Sequence, residues 1–571
     1  MTLVGRVTAI LRDKVERLCT GGLILGSLFF AASLTPSLIP RTWLTQGALA
    51  GICFVIGYVL GVLLQKLWRY LLHTENQAPA RTVVSGIVLI PCLAIMAFFL
   101  WRATDWQNSV RSIMGMDSLN HWHSLMILLV AVPVIVLLFL LGRGLAYVAR
   151  AATRLIRRYI PPRIATVAGV TVAALLAWSL ATDVLATTAF RMVDLSYQEF
   201  DALLEPERPQ PITAIRSGGP GSLLKWDELG RAGREYIASG PGAAEIAKFG
   251  GGAAKEPIRL YVGLRSAPDV GARARLALEE MKRAGAFDRA VLVVITPTGT
   301  GWVDPSAMDP AEYLTHGDIA SVAVQYSYLS SPLSLLAQPD NGSETSRALF
   351  REIYHYWSSL PNDNRPKLYL HGLSLGAMNS EKSAELLEMV GDPINGALWS
   401  GPPFGSRMWR SFTSNRNPGT PEWLPAYRDG RFVRFMNQHG GPVPADAPWG
   451  QMRIVYLQHA SDAITFFDAR DAFRRPDWMD APRGPDVSPD FEWYPVVTML
   501  QLTVDMIAAG GAPMGFGHVF APESYFDAWS LVLGTDGWLP EELERLRRQL
   551  SIRVEAPQKG DQEMPYANRG G

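Results

Sequence analysis

Long apolar runs dominate the first third of the chain, whereas short apolar runs alternate with amphipathic segments further on. Five of the early runs reach about 18 residues or more, which is enough for a helix to cross the hydrocarbon core of a bilayer. The predicted spans are residues 21–39, 47–64, 83–101, 125–142 and 164–182. We therefore predict an α-helical membrane domain of about five transmembrane helices over residues 1–192. A cleaved signal peptide is the alternative for the first run, but its length and the spans that follow favour an uncleaved helix.

Charge is distributed unevenly around these spans. Residues 1–192 contain 17 Lys and Arg against 6 Asp and Glu, and the remainder contains 36 against 47. The basic residues concentrate before the first span, after the second and after the fourth, so the positive-inside rule places those segments in the cytoplasm. An odd number of spans then places everything after residue 192 outside the cytoplasm. The acidic remainder argues against a nucleic-acid partner.

Residues 193–256 are rich in Gly and Pro, a composition typical of a connector. Within them, residues 223–238 have the pattern of a short amphipathic helix. This helix would either dock on the following domain or lie on the membrane surface.

Residues 257–545 alternate strand patterns with helix patterns, which predicts an α/β domain with a mostly parallel, doubly wound sheet. The predicted strands are residues 258–264, 290–295, 320–326, 367–370, 396–399 and 452–458, and the predicted helices are 270–284, 342–360, 377–389 and 495–509. Residues 401–451 interrupt this alternation and contain many aromatic side chains. They are interpreted either as a lid insertion or as a loop packed by its own aromatics. Residues 546–571 form a tail that ends in a polar stretch, which we expect to be disordered.

Ser374 lies in a G-x-S-x-G pattern between a predicted strand and a predicted helix. This is the pattern of a nucleophile elbow, in which Gly372 and Gly376 leave room for a strained turn that exposes the serine hydroxyl. The amide of Leu375, at the start of the helix, would stabilise an oxyanion. The same pattern also occurs in ordinary glycine-rich connections, so the partners of the serine decide its interpretation.

A serine nucleophile needs a general base and an acid that orients the base. Asp462 follows the strand predicted at residues 452–458, and His518 lies in a loop flanked by glycines. Serine, acid and histidine in this chain order are typical of α/β-hydrolases. We expect all three on loops that leave strands, so that they converge at one edge of the sheet.

Other residues compete for these two roles. His459 is the alternative base, although it shares a loop with the predicted acid, and Asp468 and Asp471 are the alternative acids. We expect His371, which precedes the elbow, to pack behind Ser374 or to donate a hydrogen bond locally.

A second oxyanion donor would come from the turn after an earlier strand. Thr298, Gly299 and Thr300 follow the strand predicted at residues 290–295 and are the candidates. A phosphate-binding loop is the competing interpretation, but no G-K-[ST] sequence follows. The three cysteines all lie within the first hundred residues, so they offer no metal-binding spacing. We predict neither a metal nor an organic cofactor.

These motifs together resemble the α/β-hydrolase superfamily, and more narrowly a bacterial family in which a multi-span membrane domain precedes an α/β-hydrolase catalytic domain. The resemblance is carried by residues 217–221, 296–302 and 370–376 and by the loops of Asp462 and His518. It implies a multi-pass protein of the bacterial cell membrane with esterase-like or lipase-like activity.

The sequence therefore predicts a membrane-anchored serine hydrolase whose triad of Ser374, Asp462 and His518 acts through an acyl-enzyme outside the cytoplasm. The expected substrate is an acyl ester, either a small molecule or a lipid of the surrounding bilayer. Acyltransferases and peptidases use the same triad, and a non-catalytic membrane scaffold with a hydrolase-like binding domain is the alternative from another class. The sequence contains no signal that specifies an oligomeric state.

Overall fold

The computed structural model describes residues 19–72, 78–179, 198, 201–205, 207–250, 252–384, 391–440 and 445–555. Its N-terminal part contains five apolar helices. These are α1 (Thr20–Ser33), α2 (Trp43–Leu72), α3 (Ala78–Ile113), α4 (Trp122–Ile156) and α5 (Pro162–Ser179).

Four helices of the described chain are long and apolar enough to cross a membrane: Trp43–Leu72, Ile87–Ile113, Trp122–Ile156 and Pro162–Ser179. The first predicted span is helical only over Thr20–Ser33, which leaves α1 shorter than these four. The structure describes no residue before Cys19. The other four predicted spans correspond to α2–α5, and α3 and α4 extend well beyond their predicted ends.

Glycines on α2 bring the membrane helices close together. Gly57 and Gly61 face α1, and a Cβ at Gly61 would lie 2.1 Å from the carbonyl oxygen of Gly21. Gly47 and Gly51 face α4, where added Cβ atoms would meet valine side chains within 3 Å. Both pairs have the small-xxx-small spacing that lets membrane helices approach at backbone distance.

The C-terminal part is an α/β domain with seven strands. They are β1 (Ile258–Val262), β2 (Val291–Thr296), β3 (Ile319–Val324), β4 (Lys367–Leu373), β5 (Gly396–Ser400), β6 (Val433–Met436) and β7 (Arg453–Leu457). Its helices are α6 (Gly230–Ala238), α7 (Ala243–Gly250), α8 (Val270–Arg283), α9 (Pro305–Leu314), α10 (Ser331–Ala337), α11 (Asn341–Ser359), α12 (Leu375–Ser383), α13 (Arg407–Ser414), α14 (Ala463–Phe466), α15 (Val497–Ile507), α16 (Pro522–Leu533) and α17 (Pro540–Glu555).

The strands form one sheet in the order β1-β3-β2-β4-β5-β7-β6, and every pairing is parallel. Strands β1, β2, β3 and β5 are buried along their whole length, as expected for strands covered by helices on both faces. From β2 the chain passes to β3 on one side and then returns to β4 on the other. The carboxyl ends of β2 and β4 therefore form a topological switch point, where α/β sheets commonly bind ligands.

The predicted connector is packed against the sheet rather than extended between domains. Arg216 forms a parallel bridge with Arg259 of β1, and the hydroxyl of Ser217 accepts a hydrogen bond from the amide of Tyr261 at 2.9 Å. Tyr236 and Ile237 of α6 are buried in the main hydrophobic core. The amphipathic helix thus docks on the domain, and it begins at Gly230 rather than at residue 223.

Several aromatic side chains from the described residues of segment 401–451 belong to the domain core. It contains α13 and the strand β6, which the sequence pattern does not predict and which pairs with β7 at the edge of the sheet. Trp409 is buried and donates a hydrogen bond from its indole nitrogen to Oε1 of Gln458 at 2.7 Å. These contacts correspond to the packed-aromatic alternative, and the lid interpretation stays a prediction. The final residues, from 556 onward, lie outside the described chain.

A buried ion pair joins the two parts of the molecule. Arg41 lies in the connection between α1 and α2, and its Nε is 2.8 Å from Oδ1 of Asp505 on α15. Both side chains are fully buried. Ser37 and the amide of Leu38 also donate to Asp505, and Nε2 of Gln501 donates to the carbonyl of Thr35. Helix α15 is therefore the element of the α/β domain that the membrane part holds.

Candidate active site

Ser374 occupies the sharp turn between β4 and α12 at the switch point of the sheet. Its backbone has φ 58° and ψ −127°, a conformation that L-residues rarely adopt. The amide of Ser374 donates to the carbonyl of Ser400 at 2.9 Å, which ties the turn to the end of β5. Strain of this kind persists only where surrounding structure enforces it, and it is common at functional sites.

Both glycines of the motif are required by the local geometry. A Cβ at Gly372 would lie 2.5 Å from the carbonyl carbon of Gly376, and a Cβ at Gly376 would lie 2.3 Å from the carbonyl oxygen of Thr296. The elbow therefore packs directly against the end of β2. Leu375 is the first residue of α12, so its amide has no carbonyl one turn earlier in the helix to accept its hydrogen bond.

Asp462 and His518 are brought together although 56 residues separate them. Nδ1 of His518 lies 2.7 Å from Oδ2 of Asp462, and the carboxylate is fully buried. Asp462 also caps the short helix α14 by accepting from the amide of Ile464, and it accepts from the hydroxyl of Thr465 at 3.1 Å. These contacts fix the position of the carboxylate. Only Nδ1 of His518 is used in the contact with Asp462. Nε2 of His518 is buried and has no hydrogen-bond partner within the described residues.

The histidine loop does not follow a strand, so the prediction that all three residues lie on strand-exit loops is wrong for His518. It lies between α15 and α16, after a short turn at Ala509–Gly511. The loop rests on the membrane part, because a Cβ at Gly517 would lie 3.3 Å from Cγ2 of Ile39. The loop of His518 is therefore positioned by the helices on either side of it and by the membrane part, and not by a preceding strand.

Gly401 joins the serine turn to the histidine. It follows Ser400, whose carbonyl accepts the hydrogen bond from Ser374. A Cβ at Gly401 would lie 2.6 Å from Cε1 of His518, so the imidazole packs directly on this backbone. The imidazole of His518 thus packs on the residue that follows Ser400, and Ser400 is bonded to the serine turn.

A second set of polar groups positions the histidine loop, and no sequence motif identifies it. The amide of Gly517 donates to Oγ of Ser461 at 2.9 Å, and Nδ1 of His459 donates to the carbonyl of Gly517 at 2.9 Å. Ser461 in turn donates from both its hydroxyl and its amide to Oδ2 of Asp486. The amide and the carbonyl of Gly517 are therefore both bonded to side chains of the loop that carries Asp462. The position of Ser461 next to Asp462 is the one signal of this role in the sequence.

The alternative base His459 and the nearby His371 both form hydrogen bonds to backbone carbonyls. Burial lowers the pKa of His459, which favours the neutral ring that bonds Gly517. Burial lowers the pKa of His371 to about 4, and its Nδ1 bonds the carbonyl of Leu398 while its ring packs near Trp529. His371 is thus buried and forms a local hydrogen bond, one of its two expected roles.

The alternative acids lie in the short helix that follows α14. Asp468 caps this helix and pairs with Arg470. Burial raises the pKa of Asp471 to about 7, and its backbone carbonyl accepts from the indole of Trp493. The acid hydrogen-bonded to His518 is Asp462.

The glycine-rich turn after β2 lies next to the elbow, but two of its predicted donors already have partners. The amide of Thr298 donates to the carbonyl of Trp302 at 3.0 Å, and that of Gly299 donates to Oγ of Ser331 at 3.0 Å. The carbonyl of Thr300 accepts from Nε2 of Gln325. The role of these three amides in an oxyanion hole stays a prediction.

A small cavity lies between this turn and β4. It has an empty volume of about 180 Å³, and its walls include Pro297, Trp302, Asp304 and His371. Burial raises the pKa of Asp304 to about 6, and Asp304 caps α9 by accepting from the amide of Ser306. Across the described chain, no cluster of three or more His, Cys, Asp or Glu side chains is arranged to hold a metal ion.

Comparison with known families agrees with this architecture. Residues 258–546 match the sequence profile described as "Alpha/beta-hydrolase family", and residues 34–241 match its companion, "Alpha/beta-hydrolase family N-terminus". No curated protein and no solved structure matches the sequence significantly. One profile ends within the predicted connector and the other begins directly after it, and together they cover α2–α5 and the sheet. The chain therefore belongs to this α/β-hydrolase family.

Proposed function

We propose that the protein is a membrane-anchored serine hydrolase that cleaves carboxylic esters through a covalent acyl-enzyme. One observation carries this proposal: the 2.7 Å contact between Asp462 and His518 leaves Nε2 of the histidine buried and without a partner among the described residues, and the ring packs on Gly401 beside the serine turn. A base in this state is suited to accept the proton of a serine hydroxyl.

In the proposed reaction, Oγ of Ser374 attacks the ester carbonyl while Nε2 of His518 takes its proton. Asp462 keeps the proton of the imidazole on Nδ1 and stabilises the imidazolium that forms. The tetrahedral oxyanion receives a hydrogen bond from the amide of Leu375. In the turn at residues 298–300 the second donor would be the amide of Thr300, because those of Thr298 and Gly299 are bonded to Trp302 and Ser331. His518 then protonates the leaving alcohol, and the same residues activate the water that releases the acid.

Charge supports a catalytic domain outside the cytoplasm. The α/β domain contacts the chain just after α1 and the end of α3, where Oγ of Ser109 lies 3.2 Å from Oγ of Ser488. The connection between α4 and α5 lies at the opposite end of the helices, with Arg154, Arg157 and Arg158 exposed. Because basic connections are retained in the cytoplasm, this arrangement favours an extracytoplasmic α/β domain.

A fluorophosphonate probe tests the nucleophile. We expect the wild type to be labelled and Ser374→Ala to remain unlabelled, because the probe reacts with an activated serine. Labelling of both proteins would assign the activity to another serine. The absence of labelling in both would contradict the serine-hydrolase proposal.

The base is tested by comparing two histidines with the same probe and a short ester. His518→Ala removes the group that accepts the proton, so we expect the rate of ester cleavage to fall by about 10⁴-fold or more. His459→Gln leaves the base in place and should retain more of the activity. The reverse order would reassign the base to His459.

The orientation is tested with a reporter fused after residue 571. We expect alkaline phosphatase, which requires export, to be active there, and a cytoplasmic fluorescent reporter to be dark. The opposite pair of results would place the α/β domain in the cytoplasm.

A further inference from the structure

An apolar groove lies where the α/β domain meets the membrane helices. Its walls include Leu28 and Phe29 of α1, Ile95 and Phe99 of α3, and Tyr494 with Val497 from the α/β domain. Its volume is about 500 Å³, which lies within the range of pockets that hold small molecules. This groove is separate from the small cavity beside the elbow.

The surroundings of the groove determine what fills it. Ile95 and Phe99 lie within Ile87–Ile113, one of the helices that are long and apolar enough to cross a membrane. Leu28 and Ile95 are exposed at the rim, with 46% and 36% of their surface accessible. In a bilayer the solvent at this depth is hydrocarbon, and an empty apolar groove would lose dispersion contacts along its walls. A flexible, unbranched acyl chain is the molecule that is available there and fits such walls.

One wall of the groove is built by a strained segment of the α/β domain. Val496 has φ +64°, a conformation that is costly for a β-branched residue. The amide of Val496 donates to the carbonyl of Ala472 at 2.8 Å. Two residues earlier, the amide of Tyr494 donates to Oγ1 of Thr498. The α/β domain thus has a strained backbone conformation at Val496, next to the residues that line the groove.

The three elements that line the groove also lead to the histidine loop. Ile39 follows α1, Val110 belongs to α3 and Ala508 follows α15, and these residues pack together with Phe516 of the His518 loop. Phe99 and Val110 are about 16 Å apart along the axis of α3. A chain in the groove would therefore extend from the apolar interior toward the end of the helices on which the histidine loop rests.

We propose that this groove binds one acyl chain of a bilayer lipid, and that long-chain acyl esters of the membrane are the substrate class of the candidate active site. The second part rests on the proposed serine-hydrolase function. The groove would hold the chain while the ester group lies at the membrane surface, next to Ser374 and His518.

Photolabelling tests the binding site without relying on catalysis. The full-length protein is reconstituted in phosphatidylcholine vesicles that contain a phosphatidylcholine with a diazirine on one acyl chain. Leu28→Trp and Ile95→Trp fill the groove. Ile24→Trp and Leu93→Trp place the same side chain at exposed positions of the same helices that are outside the groove lining. Labelled peptides are then mapped by mass spectrometry.

We expect the wild type to be labelled at the peptide containing Tyr494 and Val497. This labelling should fall about tenfold in the groove-filling variants, as for about 1.4 kcal/mol of lost binding, and stay within about twofold in the controls. Equal labelling of this peptide in all variants would overturn the chain-binding site. Thermal unfolding of each variant in detergent, compared with the wild type, shows that the protein is folded without relying on the serine.

The substrate class is tested by comparing hexadecanoyl and butanoyl esters of the same alcohol. The groove-filling variants should lose about tenfold in kcat/KM for the long ester and little for the short one, since only the long chain reaches the groove. Loss of photolabelling with an unchanged chain-length preference would overturn the substrate assignment. Failure of the proposed function would appear separately, as the absence of fluorophosphonate labelling at Ser374 in the wild type.

Discussion

The peptide group of Gly517 shows, at the scale of single residues, how the base of the candidate site is placed. Its amide and its carbonyl are both bonded to side chains from the loop that carries Asp462, namely Ser461 and His459. Gly517 itself has φ +54°, and a Cβ there would lie 2.8 Å from Cβ of Ala512. The loop that carries Asp462 therefore contacts His518 in two ways. The Asp462 carboxylate bonds the imidazole, and Ser461 and His459 bond Gly517, the residue before His518.

Ser461→Ala tests this second contact. The change removes the acceptor of the Gly517 amide and the donor to Asp486, so the loop can shift while Ser374, Asp462 and His518 remain intact. We expect kcat for a short ester to fall by about 10- to 100-fold with little change in KM, because small misplacements of a catalytic group are costly. Ser461→Thr keeps the hydroxyl and should recover most of the rate. A similar loss in both variants, or a change in KM alone, would contradict a positioning role.

At the scale of elements, the contact between α1 and α2 depends on glycines. Helices in lipid gain little from burying apolar surface against each other, so close packing of small residues carries much of their association. Gly61 lies against the backbone of Gly21, whereas nothing lies within 4 Å of a Cβ at Gly142 on α4. The two positions form a matched pair for substitution.

Gly61→Ala should lower the thermal stability of the protein in detergent, because the new methyl group would lie 2.1 Å from a backbone oxygen. Gly142→Ala should be neutral or stabilising, since alanine is favoured over glycine in a helix by about 1 kcal/mol. Thermal unfolding followed by loss of helical circular dichroism gives the comparison. Equal melting temperatures for the two variants would show that α1 and α2 do not pack at this distance.

Helix α12, which begins at the elbow, carries a buried carboxyl group. Burial raises the pKa of Glu381 to about 8 from its ordinary value of 4.5. Glu381 accepts from the hydroxyl of Tyr456 at 3.0 Å and from the amide of Met408 at 3.3 Å. The helix is therefore held against β7 and the 401–451 segment by a carboxyl group that is protonated in the folded protein at neutral pH.

The sign of the pH effect follows from this raised pKa. Above pH 4.5 the unfolded chain loses the Glu381 proton while the folded protein keeps it, so the free energy of unfolding decreases as the pH rises toward 8. Asp304 and Asp471 act in the same direction, with pKa values raised to about 6 and about 7. Glu381→Gln should reduce the decrease in melting temperature between pH 5 and 8 without abolishing it. A slope equal to that of the wild type would contradict a protonated Glu381.

At the scale of the whole molecule, the pair of Arg41 and Asp505 joins the membrane part to α15, the helix that precedes the loop of His518. Arg41 also bonds Gln46 and the carbonyl of Gln501, and its amide donates to Oε1 of Gln107. Removing one partner of a fully buried ion pair leaves the other charge uncompensated, which is strongly destabilising. The network therefore fixes how α15 lies against α1 and α2.

Arg41→Met should destabilise the protein by about 3–5 kcal/mol, because it leaves the carboxylate of Asp505 buried without a cation. The double variant Arg41→Met/Asp505→Leu removes both charges and should recover a large part of this loss. Thermal unfolding in detergent measures both. A double variant that is no more stable than Arg41→Met would show that the charges do not act as a pair.

Sequence patterns predict what short stretches of chain determine. The strand order in the chain, the apolar helices and the elbow at Ser374 all depend on neighbours within a few residues, so periodicity and glycine spacing reveal them. The edge strand β6 escapes such prediction because its four residues lie in an irregular aromatic segment and are defined by pairing with β7.

The tertiary structure decided which distant groups meet. The bond between Asp462 and His518, the hold of Ser461 and His459 on Gly517, and the burial of Arg41 against Asp505 connect residues that lie 56 to 464 positions apart. The residue order Ser, Asp, His favoured the first of these contacts, and no local pattern indicates the others. The sequence alone determined the membrane helices, the α/β class and the strained serine, because these follow from local sterics and hydrophobic period. The support of the histidine by the membrane part was decided by folding, because it depends on how α15 packs across two domains.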